Sequence, residues 1–232
     1  MLRTSIKVAF AVLAAGTVLA ACGPVKMGAA AILGNQRITT TALDAQVASL
    51  NSAYQANAKS VQLLFPASQM PQQVLAWLVR FQVREQLASR QGITVSPGQA
   101  QTALAQITSA AEQGGLTNVS LTQLAIANGL PPDLLTELGR YQAIESVLIT
   151  RYDGGKVPTS TAAQQALGQR FNQAQCLASK SLNIRVNPQF GTVDYSQLAI
   201  VPAADTLSRP GPGESPAASA SPSAAPQLAP PC

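Results

Sequence analysis

The sequence predicts a mainly α-helical domain with a small β element pairing its two ends, followed by a disordered tail. Three observations carry this reading. Apolar residues recur at spacings of three and four from about residue 42 to residue 182, the period of a helix. Two β-like segments, 29–38 and 183–201, bracket that region. From Pro202 to the end the chain is almost all Pro, Ala, Ser and Gly, holds half of the 16 prolines, and cannot bury enough apolar surface to order itself.

The elements follow in order. Arg3 and Lys7 precede an apolar run over residues 8–19. That run is too short to cross a bilayer core of about 30 Å as a helix, so residues 1–21 read as an export signal. Leu19, Ala20, Ala21 and Cys22 at its end resemble the bacterial lipobox. The resemblance implies that the Cys22 thiol is alkylated by a diacylglycerol and that the signal is cut before it. The mature chain, a lipoprotein, would then be held in a bilayer on the extracytoplasmic face of the cell membrane. Residues 22–29 form a linker, 30–201 the folded domain and 202–232 the tail.

Thr39, Thr40 and Thr41 offer an N-cap for a first helix, about 42–57, carrying Leu43, Val47 and Leu50. The next stretch has Val61, Leu63, Leu64 and Phe65 before Pro66, then Met70, with no clean period. Pro71 opens a second helix to about Arg90, and its apolar residues wrap most of the circumference, which marks it as the central helix. Ser96 and Pro97 start a third helix that stops at Gly114 and Gly115. Ser120 with Gln123 is a capping box for a short helix ending at Asn128 and Gly129. Pro131 and Pro132 begin a longer one with Leu134, Leu138, Tyr141, Ile144, Leu148 and Tyr152 in phase. Thr159 or Ser160 caps the last, whose stripe is Ala163, Leu167, Phe171, Ala174, Ala178 and Leu182. The two bracketing β-like segments are expected to pair with each other.

Composition removes whole classes of function. The chain has no histidine, which excludes a Ser-His-Asp triad, a Cys-His pair and most zinc sites. Three cysteines without a CxxC spacing leave no thiolate-rich metal site. The ten acidic residues are scattered, without the clustering of a calcium loop, and no Gly-rich phosphate loop is present. No cofactor is expected. The net charge of +5 falls to about +3 without the signal, with no basic run to track a phosphate backbone, so no nucleic-acid partner is expected.

Several short motifs agree in order and spacing with one family. Ile32-Leu33-Gly34-Asn35-Gln36-Arg37-Ile38-Thr39 is similar to an opening strand of the form A-x-V-N-G-x-x-I-T, with the Gly and Asn order exchanged. The helix from Val74 to Ala88, then Gly92-Ile93-Thr94-Val95-Ser96, then Gly129 to Leu138, continue the pattern. Val186-Asn187-Pro188-Gln189-Phe190-Gly191-Thr192-Val193-Asp194 is similar to V-N-P-R-F-G-x-W-D, with Gln189 for Arg and Val193 for Trp. On these residues the chain resembles the N-terminal chaperone module of SurA-type and trigger-factor-related proteins, in its lipoprotein form.

The resemblance implies a helical domain that cradles unfolded or nascent exported proteins in an apolar groove, without ATP. Relatives often add a parvulin-type peptidyl-prolyl isomerase module with histidines, and this chain shows none. Three readings follow: a folding helper, an adaptor that holds one surface partner, and an isomerase, the last without a module to carry it. A wide apolar groove favours the first and a closed core the second. Val61, Leu63, Leu64, Phe65 and Met70 are the candidate client contacts, or else residues that close the core.

At 100° per residue, Cys176 falls about 180° from Leu167, outside the apolar stripe of its helix, and so is expected off the core. The only other cysteine not assigned to lipid is Cys232, the last residue. A flexible tail of this length has a root-mean-square reach of roughly 30 Å, so a Cys176–Cys232 disulfide is feasible in an oxidising compartment. Free thiols and intermolecular links are the alternatives.

Overall fold

A computed structural model describes residues 28–155 and 160–203. The predicted signal, Cys22, most of the linker, Thr159 and nearly all of the tail with Cys232 lie outside the described residues. The described chain is mainly helical, with two small antiparallel sheets. Among the described residues no helix is long and apolar enough to cross a membrane.

Strands β1 (Ala29–Leu33) and β2 (Gln36–Thr39) form a hairpin, pairing Leu33 with Gln36 and Ala31 with Ile38. Its turn is Gly34-Asn35, and Gly34 takes a φ of +57°, a conformation glycine adopts without steric cost. Thr39 then caps α1 (Thr40–Ala56) by accepting from the Ala42 amide at 3.1 Å. A 3₁₀ turn, Ala67–Gln69, leads into α2 (Met70–Arg90), with Pro71 in its first turn. Ser96 and Gln99 close a capping box on α3 (Pro97–Gln113), and Ser120 and Gln123 do the same for α4 (Leu121–Ala127).

The predicted helix at Pro131 and Pro132 starts instead as a 3₁₀ turn, Pro132–Leu134, before α5 (Leu135–Tyr152). The Leu134 amide donates to the Pro131 carbonyl at 3.0 Å, an i to i+3 bond that tightens this first turn. Ser160 caps α6 (Thr161–Ser181). Ala163, placed on the apolar stripe by the sequence, is exposed at the free end of that helix.

The expected pairing of the two chain ends is present but covers only part of the predicted length. Strand β3 (Arg185–Val186) lies antiparallel to β1, with Ala31 opposite Val186, giving the order β2-β1-β3. Beyond it, β4 (Thr192–Asp194) and β5 (Ala199–Val201) pair with each other as a second sheet. Asn187 and Pro188 turn the chain away from β1: the Asn187 amide donates to Ala30 O at 2.9 Å, and Pro188 has no amide to continue the ladder.

Helix α2 is central, as its wrapped apolar pattern implies, and supplies residues to three clusters. Val74, Leu75, Val79 and Val83 join β1, α1 and β5 in the largest. Leu87 and Ala88 meet Ile144, Leu148 and Phe171 of α5 and α6. Phe81 meets Ala125, Leu130, Leu134 and Leu138. Helices α3 and α5 pack closely because α5 has Gly139 at the crossing, where a Cβ would stand 2.7 Å from the Ala100 carbonyl oxygen.

Candidate binding cleft

The segment after α1 lacks a helical period because it is irregular, a turn over residues 57–60 followed by chain without helix or strand that bends at Leu64 and Phe65. Its side chains alternate in burial, with Val61, Leu63 and Phe65 turned inward and Gln62, Leu64 and Pro66 outward, the period of two of an extended backbone. The Leu64 amide donates to Ala127 O at 2.9 Å and pins this stretch to the end of α4. Phe65 lies over Gly129, where a Cβ would come within 2.9 Å of its ring.

The five candidate contacts therefore separate. Val61 and Met70 are 7% and 5% exposed and pack in the core, the alternative the sequence left open, so in this conformation Val61 is not available to a client. Met70 is the first residue of α2 and keeps only an edge on the cleft described below. Leu63 and Phe65 are half-buried against the same cluster. Leu64 alone stands out, 75% exposed.

Where this segment turns into α2, it forms one wall of an open cleft of about 500 Å3. The other wall is the α1 face of Asp44, Val47, Ala48, Asn51, Tyr54 and Gln55, residues that share one side of a helix by spacing. Ala67, Ser68, Met70 and Pro71 complete the lining. Asp44 is the one ionisable group in it besides the Tyr54 phenol, so the cleft offers apolar and amide contacts rather than an acid–base pair. Smaller concavities of about 320 Å3, between α5 and α6, and about 220 Å3, along β1 and β3, lie elsewhere. Among the described residues the interior is filled by the three clusters.

Sequence reasoning missed the polar centre of the molecule. Arg84 on α2 is 2% exposed. Its guanidinium forms an ion pair with Glu145 at 3.0 Å and donates to the Tyr141 hydroxyl at 2.8 Å and to Gln175 Oε1 at 2.7 Å. It also stacks over the rings of Tyr141 and Phe171, 4.0 and 4.9 Å from their centroids. One side chain thus ties α2 to both α5 and α6. Burial pushes the Tyr141 phenol above its ordinary pKa, opposed by the positive charge of Arg84. The available signal was phase, since Arg84 sits three residues after Phe81 and four before Ala88, on the buried side of α2.

Cys176 also departs from expectation. It is 6% exposed, not off the core, because the C-terminal half of α6 is covered on more than one side, with Ala178 and Ser179 buried as well. The Ser179 hydroxyl donates to the Cys176 carbonyl at 2.7 Å. Cys176 is disulfide-bonded, and its partner lies outside the described residues.

Comparison with known proteins gives one match. The profile of the SurA-like N-terminal domain family matches residues 2–148, the span from the start of the chain through most of α5. No curated protein matches the chain. No solved structure matches it either.

Proposed function

Because the chain belongs to the SurA-like N-terminal domain family, we propose that it is a membrane-anchored extracytoplasmic lipoprotein that acts as an ATP-independent folding helper for exported proteins. The family is a non-catalytic, chaperone-type module, which supports binding of unfolded polypeptide as the general role. The observation that carries the finer reading is the open cleft walled by Val47, Tyr54 and Pro71; Leu64, 75% exposed on the segment between α1 and α2, is a second apolar surface. An apolar client segment laid into this cleft removes apolar surface from water at roughly 25 cal/mol per Å2. Cys22 supplies the anchor, and the short linker keeps the domain near the bilayer where exported chains emerge.

The test is suppression of aggregation of a chemically unfolded client by the purified protein at several-fold molar excess. Suppression that weakens in Ala48→Glu, at an exposed residue of the cleft wall, and in Leu64→Ser, with unchanged melting temperature, supports the reading. No suppression by the wild-type chain overturns it. For the anchor, palmitate label should enter the wild-type chain and not Cys22→Ala; equal labelling of both overturns that part.

The closed interior favours a second reading, an adaptor that holds one surface partner. A pull-down from membranes yielding one stoichiometric partner, rather than many, supports it over the first. The isomerase reading has no group to rest on in this cleft, and an unchanged rate of a proline-limited refolding step in the presence of the protein rejects it.

A further inference from the structure

Cys176 is disulfide-bonded, and the chain has only two other cysteines, Cys22 and Cys232. We propose that the partner is Cys232, that the bond fixes the end of the tail to α6, and that it adds little to the stability of the fold. The choice of partner rests on the lipid reading of Cys22. A sulfur alkylated by diacylglycerol is a thioether with no valence left for a disulfide, so a lipidated Cys22 cannot be the partner.

The bond forms by exchange with an oxidised dithiol–disulfide carrier of the extracytoplasmic space. The Cys232 thiolate attacks the carrier disulfide and expels one carrier thiolate. The Cys176 thiolate then attacks the Cys232 sulfur of the mixed disulfide and expels the other. The two cysteines lose two electrons and two protons, and the carrier disulfide becomes a dithiol. Cys176 is recessed, 6% exposed beside the fully buried Ser179, so small thiols reach the finished bond slowly in the folded chain.

Loop lengths decide what the bond does. Cys176 to Cys232 closes a loop of about 57 residues in the unfolded chain. In the folded chain the described part of that loop reaches Ala203, and a tail that adds no packing, as its composition predicts, leaves about 30 residues still to be closed. The ratio is about two, one doubling, which corresponds to a melting shift of roughly 2 °C for a domain of this size. A bond from Cys176 to Cys22 differs sharply. It closes about 155 residues unfolded but only the few between Cys22 and Gly28 when folded. That ratio of about twenty is roughly four doublings, or about 8 °C. The Cys232 bond is a tether for the tail, whereas a Cys22 bond would be a staple of the fold.

Trypsin mapping without reduction, on full-length protein extracted from membranes, distinguishes them. We expect residues 171–180 linked to the C-terminal peptide, and a melting temperature in Cys232→Ser within about 2 °C of wild type. Linkage of 171–180 to a peptide holding Cys22, linkage to a second copy of the chain, or blocking of both thiols before reduction each overturns the proposal. So does a fall of about 8 °C in Cys232→Ser. Should the Cys176–Cys232 link be found while Cys22 takes up no palmitate, the bond stands and the anchor reading fails. The measurement does not depend on client binding.

Discussion

Replacing Arg84 by alanine should be among the most destabilising single changes in the domain. The side chain is 2% exposed and is tied to α5 and α6 through Glu145, Tyr141 and Gln175. Removing one member of a buried ion pair costs about 3–5 kcal/mol, because the other charge is left without its partner. Glu145 is 28% exposed and recovers some hydration, which places its share near the lower end, about 3 kcal/mol. Loss of the stacking over Tyr141 and Phe171 adds about 1 kcal/mol. The expected total is about 4 kcal/mol, or a melting temperature lower by roughly 10 °C. Trp77, the only tryptophan, lies 5.8 Å from Phe81 on the same helix and reports unfolding by fluorescence in a urea titration. The double variant Arg84→Met with Glu145→Leu removes both charges and keeps most of the volume. It should lie within about 1 kcal/mol of wild type. If Arg84→Ala costs less than about 1 kcal/mol, or if the double variant is as unstable as the single one, the network is not what joins these helices.

Three further outcomes are expected. Gly139→Ala should cost about 1–3 kcal/mol in the same titration, since its Cβ meets the Ala100 carbonyl and Leu104 at the α3–α5 crossing. Leu64→Ser should leave the melting temperature within about 1 °C but reduce aggregation suppression, because a mostly exposed leucine contributes little to the fold. Asp194 accepts bonds from the amide and hydroxyl of Ser196, at 2.8 and 2.6 Å, and these hold its carboxyl below the ordinary range. A depressed carboxyl stabilises the fold above its unfolded value of about 3.9, and that contribution is lost as pH falls through the folded value. Asp194→Asn should therefore lose less stability than wild type between about pH 4 and pH 2 and track it above about pH 5.

Local chemistry made much of the fold legible. Ser96 with Pro97 and Ser120 with Gln123 set the starts of α3 and α4, since caps act through neighbouring residues and need no tertiary context. What depended on distant partners was misread. Whether residues 192–201 pair with β1 or with each other depends on where Asn187 and Pro188 send the chain. By phase on one helix Cys176 falls outside the apolar stripe, yet its burial depends on what covers α6 from several sides. The stretch from Val61 to Phe65 lacks a helical period, which on its own cannot distinguish irregular buried chain from a free surface, and Met70 is buried as the first residue of α2. Arg84 passed unremarked because a charge on a helix usually faces water, and only its partners on α5 and α6 make burial tolerable.

The pairing of β1 with β3 carries a consequence for how the chain is made. Synthesis runs from the N-terminus, so β1 emerges more than 150 residues before Arg185 and Val186. Until then its outer edge, around Ala31 and Ile32, exposes unpaired amides and carbonyls, and its apolar side lacks Ile184. A nascent chain halted near residue 148, where the family match ends, would hold α2 without Phe171 and Gln175 and would keep that edge open. The domain is thus closed by its last-made segment, and the interval before closure is when it is itself most in need of protection from aggregation.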